Sequence, residues 1–202
     1  YLTQRSLQAL SISNTDIKHV RSLQQKKFRK EYGQFIVEGV KMVEELIQSS
    51  WKPSSIYVTE SFDFLSALPD GQVSIIKEKE LERISGLRTP NKVLAVVEVP
   101  KAKSLDWKDD LIVLLDGIGD PGNLGTIIRT CKWFGVNTIV CSEDCVDVFD
   151  RKVVQSTMGA LFHMNIRYSS LAEFILEGKS NGFSCIGAAM AGVSVYEQPR
   201  SG

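Results

Sequence analysis

The sequence predicts a two-domain α/β protein, with a small layered α/β domain over residues 1–103 and a parallel-sheet domain over residues 104–202. Helical and strand periodicities alternate along nearly the whole chain. The strands of the second half are unbroken apolar runs, which is typical of a parallel sheet covered on both faces. A polar segment with a proline, residues 100–104, separates the two halves. Hydrophobic residues make up 43% of the 202 residues, which excludes a disordered or fibrous chain.

The first domain begins with a predicted helix over residues 14–30, capped by Asn14 or Thr15 and carrying an apolar stripe at helical spacing. A second amphipathic helix is expected from residue 38 and a short third one over residues 78–85. Short β-branched and aromatic runs predict the strands, at residues 35–37, 56–58, 73–76 and 93–99.

The second domain repeats a strand followed by a helix. The predicted strands are residues 111–115, 138–141, 164–168 and 183–186. The predicted helices between them are residues 124–135, 151–162 and 170–177. Apolar strands joined by amphipathic helices indicate parallel pairing.

Charge is balanced over the whole chain, with 24 basic and 24 acidic residues, but the first half carries a basic surplus. Five cations of the first predicted helix are the candidate ligands of a phosphate backbone: Lys18, Arg21, Lys26, Lys27 and Arg29. No acid interrupts this run. A solvated helix face explains the same pattern equally well, so both interpretations stay open.

The sequence contains no apolar run long enough to span a membrane and no apolar leader at its start. Its four cysteines form no metal-binding spacing and there are only two histidines. We therefore expect a soluble cytoplasmic protein with reduced thiols, no metal site and no membrane partner.

The segment between the first strand of the second domain and the following helix carries the candidate chemistry. Its glycines, Gly117, Gly119 and Gly122, satisfy the dinucleotide-binding pattern and would suit an NAD-dependent oxidoreductase. Asp116 and Asp120 argue against a pyrophosphate there because they would repel it. Pro121 also removes a backbone donor from the loop.

Two side chains of this segment are candidate site residues. Asn123 is expected to cap the helix, after a turn at Pro121 and Gly122. Arg129 would then project from the helix beyond its first turn, beside the inward-facing Ile128. Taken alone, Asn123 could be only a cap and Arg129 only a solvated charge.

The segment 120–130, DPGNLGTIIRT, resembles the first signature motif of the SpoU/TrmH family of RNA ribose 2′-O-methyltransferases. The segment 147–160, DVFDRKVVQSTMGA, is similar to the loop and helix that follow it in that family, where small residues permit close packing. In the first half, KKFR at 26–29, FIVEG at 35–39 and SGLRTP at 85–90 resemble the family's N-terminal substrate-binding domain.

This resemblance implies an enzyme that transfers a methyl group from S-adenosylmethionine to a ribose 2′-OH of ribosomal RNA, with transfer RNA as the second choice. It assigns Arg129 to the hydroxyl, Asn123 to shaping the site beside it, and Ala188 to the edge of the donor pocket. It also implies an α/β-knot (SPOUT) domain with a trefoil knot, and a homodimer formed through that domain.

Two later motifs of the family, a Gly-Asn-Glu-Gly loop and a Ser-Leu-Asn helix, are absent from this sequence. We therefore expect the sequence to be part of a longer protein and, as it stands, to bind the donor weakly. A non-catalytic RNA-binding relative is the alternative to an enzyme. An arginine is a poor general base because its pKa exceeds about 12, so we favour Arg129 as an electrostatic clamp.

Overall fold

The computed structural model describes residues 12–60, 71–101, 105, 107, 111–188, 192, 194 and 197. Its helices are α1 (Asn14–Ser22), α2 (Lys26–Tyr32), α3 (Val40–Gln48), α4 (Glu78–Ile84), α5 (Pro121–Trp133), α6 (Arg151–Thr157) and α7 (Leu171–Ser180). Its strands are β1 (Gln34–Glu38), β2 (Pro53–Val58), β3 (Val73–Ile75), β4 (Val93–Glu98), β5 (Ile112–Leu115), β6 (Thr138–Cys141) and β7 (Asn165–Tyr168). Of the predicted linker over residues 100–104, residues 102–104, which contain the predicted domain boundary after residue 103, lie outside the described residues.

The first sheet has the strand order β1-β4-β2-β3, with β4 antiparallel to both of its neighbours and β3 parallel to β2. Because side chains alternate along a strand, its two faces bury different partners. Ile36, Leu94 and Val96 pack with residues of α1 and α4 in one apolar cluster. Phe35 and Val37 face the other way, into a cluster that contains α3 and much of the second half of the chain.

The second sheet has the order β5-β6-β7 and all its pairs are parallel, which confirms the prediction of a parallel sheet. Helix α5 connects β5 to β6, and α6 with the 3-10 turn Ala160–His163 connects β6 to β7. The β6 residues are all buried, as the central strand of a covered sheet requires. The carboxyl ends of β5 and β6 meet at one edge, where Leu115 pairs with Cys141.

The predicted helix over residues 14–30 is wrong as a single element, because the chain turns at residues 23–25 between α1 and α2. The N-cap of α1 is Ser13, whose hydroxyl accepts from the Asp16 amide at 3.0 Å, and is neither Asn14 nor Thr15. A helix end leaves carbonyl groups without partners. The Arg29 guanidinium donates to two carbonyls at this turn, those of Leu23 at 3.1 Å and Gln24 at 2.9 Å.

The second half differs from the prediction at two places. Helix α6 stops at Thr157, because the next two residues have left-handed backbones, Met158 with φ of 50° and Gly159 with φ of 90°. Residues 183–188 form no strand, although a strand was predicted at 183–186. Ile186 is 76% exposed there, so these residues lack the partner strand and the burial that a parallel strand requires.

The two halves of the chain share one apolar cluster, whose buried members extend from Phe35 in the first half to Met164 in the second. Aromatic rings carry much of this contact: the Phe35 and Phe149 centroids are 4.8 Å apart, and those of Trp51 and Phe162 are 5.5 Å apart. A polar contact joins the same surfaces, since the Gln155 side-chain amide donates to the Glu38 backbone carbonyl at 2.7 Å.

A buried ion pair also links the two halves. The Arg29 guanidinium donates through Nε and Nη2 to Asp147 Oδ2, at 3.0 and 2.8 Å, and its Nη2 lies 3.8 Å from Asp150 Oδ2. The Arg29 side chain is only 5% exposed and that of Asp147 15%. Removing one partner of such a pair leaves the other charge buried without compensation.

We predict that Arg29→Met lowers the free energy of unfolding by about 3–5 kcal/mol, because Asp147 loses its buried counter-charge. Urea unfolding followed by circular dichroism measures the change. The matched control is Lys30→Met, which removes the neighbouring exposed cation and should change stability by less than about 0.5 kcal/mol. Equal effects of the two substitutions would contradict the structural role of Arg29.

Candidate active site

A loop over residues 116–120 joins the carboxyl end of β5 to helix α5, and the first turn of α5 is built by Asp120 and Pro121. The Asp120 carboxylate accepts from the Asn123 amide at 2.7 Å, and Pro121 occupies the first helical position. Asp is a favoured N-cap and Pro a favoured first residue, so this start satisfies both preferences. The expectation that Asn123 caps the helix is therefore wrong. Asn123 lies inside the first turn, with its side chain exposed.

Residues 142–146, which follow β6, form hydrogen bonds with the loop over residues 116–120 that leads into α5. The Ser142 hydroxyl accepts from the Gly117 amide at 2.9 Å and donates to Asp144 at 2.5 Å. Ile118 donates from its backbone amide to Cys145 Sγ at 3.2 Å, and its carbonyl accepts from Val146 at 2.8 Å. These contacts give the α5 start a defined position relative to the sheet.

Burial favours the protonated form of two thiols in this half of the chain, those of Cys131 and Cys141. Burial, with a smaller effect of the neighbouring Cys145, raises the pKa of Cys141 to about 12. Burial also raises the pKa of Cys131. A thiol that stays protonated is a poor nucleophile, and both side chains lie in the apolar core, so we assign these two cysteines to packing.

Arg129 projects into solvent from α5, about two turns beyond the helix start. Ile128 beside it is fully buried, so the helix turns Arg129 away from the core. Within the part of the chain that the structure describes, Arg129 has no ion pair and no hydrogen-bond partner for its side chain. An arginine without an internal counter-charge is free to bind an anion.

Arg129 lines an open cleft of about 460 Å³ together with Thr126, Thr130, Trp133 and Phe134. Trp133 is 86% and Phe134 77% exposed, which is unusual for large apolar side chains at adjacent positions. The cleft therefore combines one cation, two hydroxyls and an exposed aromatic surface on a single helix.

A close contact between α5 and α6 sets the position of this helix. A Cβ atom at Gly125 would lie 2.7 Å from Ser156 Cβ and 3.0 Å from the Ser156 carbonyl carbon. Only glycine fits at such a distance. The Ser156 hydroxyl also lies 3.2 Å from the Pro121 carbonyl, in the first turn of α5. This contact agrees with the close packing expected around Ser156.

The dinucleotide interpretation of Gly117, Gly119 and Gly122 finds no support in this geometry. A pyrophosphate needs free amide donors at the loop and helix start. Here the Gly117 amide already donates to Ser142, and the Asn123 amide donates to the Asp120 carboxylate. The same carboxylate would repel a phosphate.

Ala188 lies on the exposed segment 183–188, which has no regular structure. It lines none of the clefts around Arg129, Lys18, Met158 or Tyr168. The assignment of Ala188 to the edge of a donor pocket stays a prediction.

Two of the predicted RNA-binding cations, Lys18 and Arg21, line an open cleft of about 680 Å³ on the first domain. Arg83 of α4 joins them, with its Nη2 3.5 Å from Asn14 Oδ1. None of the residues that line this cleft is acidic. The sequence analysis missed Arg83 because it is far from α1 along the chain, and only the packing of α1 against α4 brings it close.

The other three cations are distributed differently. Lys26 and Lys27 are exposed on α2 but do not line this cleft, and the Lys27 ammonium lies 5.6 Å from the Phe28 ring centroid. Arg29 is 4% exposed and paired with Asp147, so its guanidinium cannot reach an RNA phosphate. The prediction that Arg29 binds RNA is therefore wrong: its charge is used inside the protein.

Comparison with known proteins connects both halves of the chain to RNA methylation. Residues 110–201 match the SpoU rRNA methylase family, and residues 14–95 match the MRM3-like substrate-binding domain. The chain is 29% identical over 189 residues to the 23S rRNA (guanosine(2553)-2′-O)-methyltransferase RlmP of Bacillus subtilis, covering 93% of this chain and 75% of that protein.

Solved structures agree with this relationship. The structure of a protein from Porphyromonas gingivalis assigned to the TrmH family of RNA methyltransferases superposes with a TM-score of 0.86 and 33% identity, covering 95% of this chain and 76% of that one. An AdoMet-bound rRNA methyltransferase from Sinorhizobium meliloti superposes with a TM-score of 0.74 and 29% identity, covering 85% and 67%. This chain belongs to the SpoU/TrmH family of RNA methyltransferases.

Proposed function

We propose that this protein methylates a ribose 2′-OH of ribosomal RNA, with S-adenosylmethionine, the donor used by its family, as methyl source. The observation that carries the proposal is the exposed Arg129, which has no partner among the described residues and lies on the helix that follows β5. Helix α5 starts beyond the carboxyl end of β5, and ligands bind at the carboxyl edge of open parallel sheets. The similarity to an rRNA 2′-O-methyltransferase over most of the chain supports the choice of substrate.

The reaction bonds the ribose 2′-oxygen to a sulfonium methyl carbon, leaves the carbon–sulfur electron pair on sulfur, and releases the hydroxyl proton. Arg129 binds the target phosphate or the 2′-oxygen, and its positive charge favours the ionised hydroxyl. It does not accept the proton, since a guanidinium stays charged. Asn123, which is exposed in the first turn of α5, contributes a side-chain amide that can orient the ribose.

The first domain captures the RNA through its cationic surface. Lys18 and Arg21 line a cleft without acids, and Arg83 adds a third positive charge to it. Lys26 and Lys27 extend the surface along α2. No aromatic residue lines the cleft of Lys18, Arg21 and Arg83, which favours contact with phosphates over recognition of bases.

Two further features complete the proposal. The exposed Trp133 and Phe134 beside Arg129 support a homodimer in which a second copy covers this apolar surface, as part of a knotted second domain.

All four cysteines are free, which supports a reducing compartment such as the cytoplasm. Within the described ranges, no helix has both the length and the apolar character of a membrane span.

We predict that Arg129→Ala reduces methyl transfer by the full-length protein about 10²–10³-fold while leaving donor affinity nearly unchanged, because the side chain acts on the ribose. Arg129→Lys, which keeps the charge, should retain a larger fraction of activity. Methyl incorporation and calorimetric titration of the donor measure the two quantities. The control is Lys179→Ala, which removes an exposed cation of α7.

Near-normal turnover of Arg129→Ala would contradict the assignment. A wild-type protein that binds RNA without any methyl transfer would favour the non-catalytic alternative.

We predict that RNA affinity falls steeply with salt and that Lys18→Ala, Arg21→Ala and Arg83→Ala each lower the slope of log K against log salt by about 0.7–0.9. Each removes a contact to phosphate. Folded Arg29→Met should leave this slope unchanged, because Arg29 is buried in its ion pair. Filter binding at several salt concentrations measures the slope. A slope that is flat, or that only Arg29→Met reduces, would contradict this surface.

A further inference from the structure

A cleft of about 280 Å³ lies between the two halves of the chain, along the outer edge of β7. It is separate from the sites above, since it shares no lining residue with the clefts at Arg129 and Lys18. Its size is near the lower end of ligand pockets, and a boundary between domains is a usual place for one. Neither the family comparisons nor the proposed methyl transfer uses it.

The cleft contains an unsatisfied donor. Arg167 Nε is buried and has no hydrogen-bond partner among the described residues. A buried polar atom without a partner costs about 1–3 kcal/mol, so natural proteins keep few of them. The Arg167 guanidinium has no counter-charge among the described ion pairs either. Arg167 lines the cleft, so an anion bound there would give its guanidinium the missing counter-charge.

The other polar groups of the cleft also suit an anion. Lys101 is the second cation of the lining, and no aspartate or glutamate belongs to it. Asn165 donates its backbone amide to the carbonyl of Asn137, the residue before β6, and Ser169 donates its backbone amide to the Cys141 carbonyl. Alternation in a parallel ladder therefore directs the amides of the residues between them, at 166 and 168, toward the unpaired edge of β7.

The remaining walls are aromatic. Trp51, Phe149 and Tyr168 line the cleft, and the first two are held in place by contacts between their rings. The Tyr168 hydroxyl donates to the Val146 carbonyl at 2.6 Å and accepts from the Val148 amide at 2.8 Å, which fixes the ring at the rim. Aromatic side chains beside cations are the surfaces on which nucleic-acid bases stack.

We propose that the cleft between Trp51, Tyr168, Lys101 and Arg167 is a second binding site, for a nucleotide unit, with its phosphate on the two cations and its base against the aromatic rings. The unit could be a free nucleoside monophosphate or one nucleotide of an RNA chain, since both present a planar base and a phosphate. The site needs neither Arg129 nor a methyl donor.

The test is calorimetric titration of the full-length protein with uridine and adenosine 5′-monophosphates, the corresponding nucleosides, inorganic phosphate, and a short single-stranded oligoribonucleotide. The nucleotide should bind at least about tenfold more tightly than the nucleoside or phosphate alone, because each of these satisfies only one half of the site. Tighter binding of the oligonucleotide than of the monophosphate identifies RNA as the source, and the reverse order identifies a free nucleotide.

Variants locate the binding. Arg167→Gln should weaken nucleotide binding about tenfold or more, as expected for a charge-assisted contact in a partly buried site. Lys101→Ala, at an exposed position, should weaken it about threefold and carries little risk of unfolding. The matched control Lys179→Ala removes an exposed cation outside the cleft and should bind as wild type.

No binding of the nucleotide or oligonucleotide at millimolar concentration would overturn the proposal. So would equal affinity in wild type, Arg167→Gln and Lys101→Ala. The titration omits the methyl donor, so it tests this cleft independently of methyl transfer. A wild-type protein that transfers methyl groups but binds no nucleotide would contradict only the second binding site, and not the proposed function.

Discussion

Helix α5 touches helix α6 at Gly125, and the position from which Arg129 leaves the helix depends on this contact. The Gly125 backbone lies so close to Ser156 that a single added methyl group would overlap the neighbouring helix. Asp120 and Pro121 start the same helix after the loop over residues 116–120 that follows β5. One face of α5 is thereby buried against α6 and the sheet, and the opposite face presents Arg129, Trp133 and Phe134 to solvent. Packing at a glycine thus sets the place of the proposed chemistry.

Much of this arrangement could be predicted from local sequence. Apolar runs such as residues 138–141 are buried on both faces, so their composition alone indicates a parallel strand. The strand-to-helix turn and the exposure of Arg129 followed from the same patterns. The cap was misplaced because Asp120, Asn123 and the proline between them all favour a helix start. Local preference therefore could not decide which oxygen accepts the amide hydrogen bond.

What failed depends on contacts between distant parts of the chain. Arg29 belongs to a basic run and looks like its neighbours, yet Asp147 and two carbonyls at the turn after α1 draw it into the interior. Arg83 approaches Lys18 and Arg21 only through packing of α4 on α1. The cleft at Arg167 exists because the two halves share one apolar core. No spacing along the sequence encodes these approaches.

The measurement that tests the central claim most directly is methyl transfer by Gly125→Ala, Ser156→Gly and their combination in the full-length protein. We predict that Gly125→Ala loses stability by about 1–3 kcal/mol through overpacking and loses turnover as Arg129 is displaced. Ser156→Gly in the same chain removes most of the overlap and should restore a substantial part of both. Wild-type turnover in Gly125→Ala, or a double variant no better than the single one, would contradict the account.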